Sequence, residues 1–93
     1  MGIRVLNNET WYKSINRGKM PSEKTHERRE HLARFLLAYR AKRARDVPTQ
    51  IAFSEAMEEF QVMPDGTTLY ENVARGVVDG KRPDVTQLAK SLE

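Results

Sequence analysis

The sequence contains no cysteine and no long apolar run, and both absences narrow the classes of protein to which it can belong. Without cysteine there is no disulfide framework, no thiolate nucleophile and no cysteine-based zinc site. The longest apolar run falls far short of the roughly 18 residues that cross a bilayer, and the N-terminus lacks the apolar segment of a signal peptide. We therefore expect a cytoplasmic protein with no membrane partner.

Apolar residues are scarce throughout the chain. They make up 39% of its 93 residues, which is below the usual globular share, whereas charged residues reach 31%. A chain of this length forms one domain at most and has a thin core, because it buries only about 60–65% of its unfolded surface. Part of the chain is therefore expected to be an arm or to bury its surface on a partner.

Known catalytic and metal-binding motifs are also lacking. There is no nucleophile elbow, no phosphate-binding loop and no dinucleotide fingerprint, and the adjacent Glu58 and Glu59 point apart on a helix. His26 and His31, in the segment HERREH, are one position further apart than the zinc-binding H-E-x-x-H spacing requires. The sequence thus predicts that the protein is not an enzyme and has no cofactor and no metal site.

Charge is distributed unevenly along the chain. Residues 1–45 hold twelve Lys and Arg against four Glu, a net charge of +8. Residues 46–93 hold four Lys and Arg against nine acids, a net charge of −5. Such asymmetry is typical of a basic segment that meets phosphates.

Apolar spacing predicts a long first helix that Ser22 caps and that ends before Val47-Pro48, because the residue before proline disfavours α geometry. The helix carries an apolar stripe with i, i+3, i+4, i+7 spacing. This stripe consists of Leu32, Phe35, Leu36 and Tyr39.

A second helix is predicted from Pro48 or Thr49, since proline suits the first helical position. Its apolar positions are Phe53, Met57 and Phe60, flanked by Ile51 and Ala56. The turn residues 63–66 then break the chain.

A third helix is predicted after a cap at Thr67 or Thr68, and Asp79-Gly80 stops it because glycine readily closes a helix. One face of this helix is predicted to be apolar, and its members are Leu69, Val73 and Val77, with Tyr70 and Ala74 beside them. A fourth helix is predicted to begin at Asp84, with Asp84 and Gln87 as a capping box.

The predicted fold is therefore all-α, a four-helix cluster with a helix-turn-helix-like C-terminal half and a basic N-terminal arm. Residues 1–20 form the arm and residues 21–93 form the helical domain. Trp11 and Tyr12 are expected to anchor the arm on the body, on a second subunit or on nucleic acid.

The last 22 residues, NVARGVVDGKRPDVTQLAKSLE, resemble the end of lambda-repressor-like (Cro/C1-type) helix-turn-helix domains. In that family a recognition helix runs into a short G-K-R-P style turn, and a closing helix carries L-A-K-x-L. Residues 29–45 and 49–62 resemble the first and second helices of the family.

The resemblance implies that the third helix lies in the major groove of double-stranded DNA with its N-terminal side chains against base edges. The residues expected to contact bases are Thr67, Thr68, Glu71, Asn72 and Arg75. Asn pairs with adenine and Arg with guanine in bidentate fashion, each worth about 1–3 kcal/mol of discrimination.

Phosphate contacts are expected from basic residues in three places: the arm, the end of the first helix and the turn before the fourth helix. They are Arg17, Lys19, Arg40, Lys42, Arg43, Arg45, Lys81 and Arg82. The same side chains fit a plain helical bundle with a solvated surface, so these assignments are hypotheses.

The function predicted first is a small DNA-binding transcriptional regulator, a phage- or plasmid-type repressor that works as a homodimer and occupies an operator. The acidic second half of the chain leaves a protein partner open: a small inhibitor or adaptor of the phage antagonist type would present its acidic helices to a basic protein. A third alternative is an RNA-binding accessory factor in which Trp11 or Tyr12 stacks on bases.

Overall fold

The computed structural model describes residues 23–93, which form an all-helical cluster. Its helices are α1 (Glu23–Ala44), α2 (Thr49–Glu59), α3 (Glu71–Val78) and α4 (Pro83–Leu92). The all-α prediction of a four-helix cluster is thereby confirmed. The predicted arm (residues 1–20), the cap at Ser22, and the phosphate contacts Arg17 and Lys19 lie outside the described residues. None of the helices within 23–93 has both the length and the apolarity needed to span a bilayer.

The apolar stripe predicted for α1 forms the centre of the core. Leu32, Phe35 and Leu36 are buried and Tyr39 is half-buried. The Phe35 ring makes edge-to-face contacts with Phe53 and Phe60 of the following segment, at centroid distances of 6.1 and 6.2 Å. Aromatic pairs in this geometry add to the stabilisation from burial alone.

α1 ends in a turn that is closed by an aspartate in the left-handed conformation. Asp46 has a φ of 66°. The N–H of Val47 donates to Lys42 O at 3.1 Å and the N–H of Asp46 donates to Arg43 O at 3.0 Å. These two bonds form a Schellman motif, which usually has glycine where Asp46 stands.

α2 begins at Thr49 after Pro48, as predicted, but its innermost residues are small. Ala52 and Ala56 are fully buried. Phe53 and Met57 are half-buried and pack against the edge of the core. The predicted flanking position of Ile51 is largely solvent-exposed, at 50%, because alanines at the centre let α2 approach α1 closely and leave the longer side chains at its rim.

The link between α2 and α3 is a tight hairpin, which corrects the predicted start of the third helix at Thr67 or Thr68. Val62 and Thr68 form an antiparallel bridge. Gly66, with a φ of 85°, donates to Met63 O at 2.8 Å and closes the turn. Both threonines therefore lie in the hairpin and outside any helix, and α3 starts at Glu71 with Tyr70 as its N-cap residue.

The apolar face of α3 is narrower than the sequence pattern indicates. Ala74 and Val77 are buried, and Leu69 is buried in the link just before the helix. Tyr70 and Val73, predicted for the same face, are 66% and 37% exposed, and Tyr70 is the N-cap residue of α3 and not part of the helix.

The predicted stop at Asp79-Gly80 is confirmed by a second Schellman motif. Gly80 has a φ of 78°, and its N–H donates to Val77 O at 3.2 Å. The N–H of Lys81 donates to Gly76 O at 2.9 Å. This turn directs the chain from α3 into α4.

α4 begins one residue before the predicted position, and the expected capping box is absent. Arg82 is the N-cap residue and Pro83 the first helical residue. Asp84 therefore lies inside the first turn, where its carboxylate receives Arg82 Nη2 at 3.0 Å and Arg29 Nε at 3.1 Å. Val85 and Ala89 are fully buried on the opposite face of α4, which packs extensively against α1.

Candidate nucleic-acid interface

The outward face of α3 carries three of the five predicted base-contact residues. Glu71, Asn72 and Arg75 are exposed, whereas Ala74 and Val77 on the inner face are buried. This eight-residue helix buries only Ala74 and Val77, so its first two turns present polar side chains outward. Thr67 and Thr68 are also exposed, but they lie in the hairpin that precedes the helix.

Arg75 contacts one residue of its own helix, α3, and one residue of α2. Its Nε donates to Glu71 Oε2 at 2.8 Å, and its Nη2 lies 2.7 Å from the same oxygen. Its Cζ atom lies 4.7 Å from the centroid of the Phe53 ring of α2, which is a cation–π contact. The side chain of Arg75 therefore links α2 and α3 while remaining 60% exposed.

An open groove of about 460 Å³ runs between α2 and α3. The side chains of Phe53 and Met57 contribute its apolar part, and Thr49 and Gln50 lie at the start of α2. On the α3 side, the groove is lined by Glu71, Arg75, Val78 and Asp79. The groove therefore has a mixed polar and apolar lining and includes two predicted base-contact residues.

The hairpin is fixed to α1 through Asp65. Asp65 Oδ1 accepts the Thr67 hydroxyl at 2.6 Å and the Thr67 N–H at 3.1 Å, and Asp65 Oδ2 accepts Arg28 Nη1 at 2.7 Å. The hydroxyl and N–H of Thr67, together with the Arg28 guanidinium, lower the pKa of Asp65 to about 2. The hydroxyl of Thr67 also accepts Arg28 Nη1 at 3.0 Å, so Thr67 is engaged in the hairpin, whereas the neighbouring Thr68 side chain faces solvent.

Three of the predicted phosphate-contact residues are engaged by carboxylates. Lys42 Nζ lies 3.5 Å from Glu55 and 3.3 Å from Glu59, and only 12% of its side chain is exposed. Arg82 pairs with Asp84 at 3.0 Å. Arg40 lies 4.0 Å from Glu93, and 49% of its side chain is exposed.

Three others remain available to an anion. Within residues 23–93, Arg43, Arg45 and Lys81 are exposed and form no ion pair. Arg43 Nη1 donates to the carbonyl of Val47 at 2.7 Å. Arg45 lies four residues before Thr49, and Lys81 lies two residues after Asp79, so each is close in sequence to a residue that lines the groove.

The described body has no net charge. Residues 23–93 hold twelve Lys and Arg and twelve acids, so the whole excess of +3 comes from residues 1–22, which hold four Lys and Arg and one Glu. Long-range attraction to a polyanion would therefore depend on the local arrangement of the unpaired cations and on the first 22 residues.

The contribution of Phe53 to the polar face of α3 is not visible in the sequence. Its spacing places Phe53 only in the apolar stripe of α2, yet its ring supports the guanidinium of Arg75. The sequence did carry one signal, since Glu71 and Arg75 have the i, i+4 spacing of a helical ion pair. The aromatic support could not be found in the same way, because it depends on how α2 crosses α3.

Comparison with protein-family models, with curated protein sequences and with solved structures gave no significant match to this chain. The function therefore has to be inferred from the residues and their arrangement.

Proposed function

We propose that the protein is a small DNA-binding transcriptional regulator of the phage or plasmid repressor type, which occupies an operator through α3. The observation that carries the proposal is the exposed polar face formed by Glu71, Asn72 and Arg75. Two exposed cations without an ion pair within residues 23–93 lie in the adjoining loops, Arg45 before α2 and Lys81 after α3. An exposed helix that carries hydrogen-bonding side chains, together with cations in the loops before α2 and after α3, fits major-groove recognition.

Each of these side chains has a distinct role in the proposal. Asn72, at the second position of α3, offers the amide that pairs with adenine, and Arg75 offers the guanidinium that pairs with guanine. Arg43, Arg45 and Lys81 bind phosphates and set the register of the protein on the duplex, because phosphate contacts position while base contacts specify. The predicted contacts of Arg17 and Lys19 would add to this phosphate binding.

The acidic residues near the groove do not rule out this role. Glu71 is neutralised by Arg75, and Glu55 and Glu59 are drawn to Lys42. Asp79 has no cationic partner within residues 23–93 and would repel a nearby phosphate. We therefore assign the phosphate contacts to Arg45 and Lys81, in the loops before α2 and after α3, and not to the acidic lining of the groove.

The protein is further proposed to act as a homodimer. A single module of this size buries little DNA surface, and paired modules match operators with two-fold symmetry. Occupation of the operator would exclude the polymerase from an overlapping promoter.

Pairing of the acids favours DNA over the alternative of a protein-binding antagonist. Such an antagonist would present Glu55 and Glu59 to a basic partner, but both carboxylates are shared with Lys42. Together with Glu58, α2 carries three acids, and Lys42 offsets one of these charges, so a net charge of −2 remains on this surface instead of −3.

Fluorescence anisotropy with a random-sequence duplex at about 50 and 200 mM salt tests the proposal. Binding is expected to weaken steeply with salt, because each phosphate contact releases counterions. Removal of Arg45 or Lys81 is expected to lower affinity for all duplexes and to reduce the salt slope by about one per contact.

Lys90→Ala is the matched control, because Lys90 is an exposed α4 lysine that forms no ion pair within residues 23–93 and does not line the groove. It removes the same charge and is expected to change binding less than Lys81→Ala. Equal losses from both variants would show that only net charge matters, and absence of binding at either salt concentration would contradict the proposal and favour the protein-binding alternative.

A further inference from the structure

The guanidinium of Arg75 is restrained on two sides, which leaves one edge open. Nε and Nη2, on one edge, are directed at Glu71 Oε2. One face of the group lies over the Phe53 ring, with Cζ 4.7 Å from the ring centroid. The open edge is the fork of Nη1 and Nη2, whose outward N–H groups have no acceptor among residues 23–93.

The carboxylate of Glu71 has one oxygen bound by Arg75 and one oxygen open to an additional donor. Oε2 receives both contacts from Arg75, and Oε1 has no donor among the described residues. Since 63% of the Glu71 side chain and 60% of the Arg75 side chain are exposed, α3 presents a two-donor fork and an acceptor oxygen next to each other.

This order of donors and acceptor matches a G·C base pair better than an A·T pair. In the major groove, guanine offers two adjacent acceptors, N7 and O6, and cytosine offers the N4 donor beside them. An A·T pair places the N6 donor of adenine between the acceptors N7 and O4. On an A·T pair, one of the two Arg75 donors would therefore face the N6 donor of adenine and could not form a hydrogen bond.

On the basis of the proposed function, we propose that Phe53, Glu71 and Arg75 form a composite reader of one G·C pair. Arg75 binds N7 and O6 of guanine through its open fork, and Glu71 accepts from N4 of cytosine. Phe53 touches no base in this arrangement and is a positioning residue, because its ring keeps the guanidinium plane in place.

The two restraints fix the orientation of the fork before DNA arrives. A long arginine side chain loses rotamer entropy when it is immobilised at an interface. Phe53 and Glu71 already restrict the Arg75 side chain in the free protein, so less entropy is lost when DNA binds. Lysine cannot replace Arg75 here, since an ammonium has no planar fork and stacks poorly on an aromatic face.

The test uses the duplex selected by the wild-type protein from a random pool, together with versions in which each G·C pair is replaced in turn by A·T. For one G·C pair, the replacement is expected to weaken wild-type binding by roughly 5- to 150-fold. Arg75→Lys is expected to bind the G·C duplex and the A·T duplex equally well at that position and to retain the wild-type preferences at all other positions. The protein variant and the base change are then coupled in a double-mutant cycle.

Phe53 and Glu71 supply the readouts that a purely structural role would not produce. Phe53→Leu is expected to reduce discrimination at the same G·C pair about 2- to 5-fold and to leave nonspecific affinity and the salt slope unchanged. Phe53→Tyr keeps an aromatic ring under the guanidinium and is expected to discriminate as well as the wild type. Glu71→Gln removes one negative charge, so nonspecific affinity is expected to rise while discrimination falls.

Arg34→Lys is the matched control, because Arg34 forms the same i, i+4 pair with Glu30 on α1, at 2.7 Å. It is expected to leave discrimination unchanged. Sequence-specific binding in which Arg75→Lys couples to no G·C pair, or couples to an A·T pair, would overturn the reader and leave the proposed function intact. Failure of the wild-type protein to bind any duplex would overturn both.

Discussion

The α1–α4 half of the body and the α2–hairpin–α3 half are built differently. The contact between α1 and α4 is the most extensive between any two helices of residues 23–93. It is joined by ion pairs near both ends of α4: Arg29 with Asp84 at 3.1 Å and Arg40 with Glu93 at 4.0 Å. By contrast, α2 and α3 are separated by an open groove and an 11-residue link.

The two halves therefore have different roles: the α1–α4 half supports the fold, and the α2–hairpin–α3 half carries the exposed polar surface. Small buried residues, such as Val85 and Ala89, let α4 pack closely on α1. In the other half, α3 has two buried residues and uses the rest of its surface for exposed polar groups. A rigid scaffold that carries a short exposed helix is a suitable base for a recognition surface.

The largest effect is expected from Phe35→Ala, which removes the fully buried aromatic contact between the halves. Phe35 is fully buried and meets both Phe53 and Phe60. The cavity is expected to cost about 3–5 kcal/mol of unfolding free energy, measured by urea denaturation. Tyr70→Ala is the control, since Tyr70 is 66% exposed, and a similar loss from both variants would contradict the assignment of the core.

The next effect concerns the turn that leads from α3 to the scaffold. Gly80→Ala is expected to destabilise the protein by about 1–2 kcal/mol, because φ is 78° at this position and alanine is strained there. The control is Gly76→Ala within α3. Nothing lies within 4 Å of an added Cβ there, and the change is expected to stabilise the protein by about 0.5–1 kcal/mol. Thermal unfolding that gives both variants the same sign would contradict this account of the turn.

A smaller gain is expected at the end of α1. Asp46→Gly relieves the left-handed conformation of an aspartate with a φ of 66° and is expected to add about 0.5–1 kcal/mol to the unfolding free energy. Urea denaturation measures the change. A loss of stability would show that the Asp46 side chain makes a favourable interaction that outweighs the backbone strain.

The smallest effect is expected in the hairpin as pH falls, because its Arg28 partner is 41% exposed and screened by water. The folded-state pKa of Asp65, about 2, lies below the ordinary aspartate value of 3.8. Its stabilising contribution is therefore fully present above pH 4 or so and is lost as the pH falls towards about 2. The stability difference between the wild type and Asp65→Asn is expected to shrink over this range, and a difference that stays constant would contradict the assignment.

The scaffold was easier to predict from sequence than the groove. The stripe of α1 follows from helical periodicity, and the end of α3 follows from the left-handed preference of Gly80. These features depend on residues close together in sequence. The all-helical class could be predicted for the same reason.

The start of α3 was predicted wrongly because two local signals competed. Thr67 has the chemistry of a helix cap, but its hydroxyl and N–H are bound by Asp65 in the hairpin. The support of Arg75 by Phe53 depends on the crossing of two helices. The pairing of Lys42 with Glu55 and Glu59 likewise joins separate helices, so spacing along the chain could not reveal either contact.

Selection of bound sequences from a random duplex pool, with the complete 93-residue chain, tests most directly whether the exposed face of α3 reads DNA. We expect enrichment of a defined site, with two-fold symmetry if the protein binds as a homodimer, and loss of that enrichment when Asn72 and Arg75 are both replaced by alanine. A pool that stays random after repeated rounds, or an enriched site that the double variant selects equally well, would contradict the central claim.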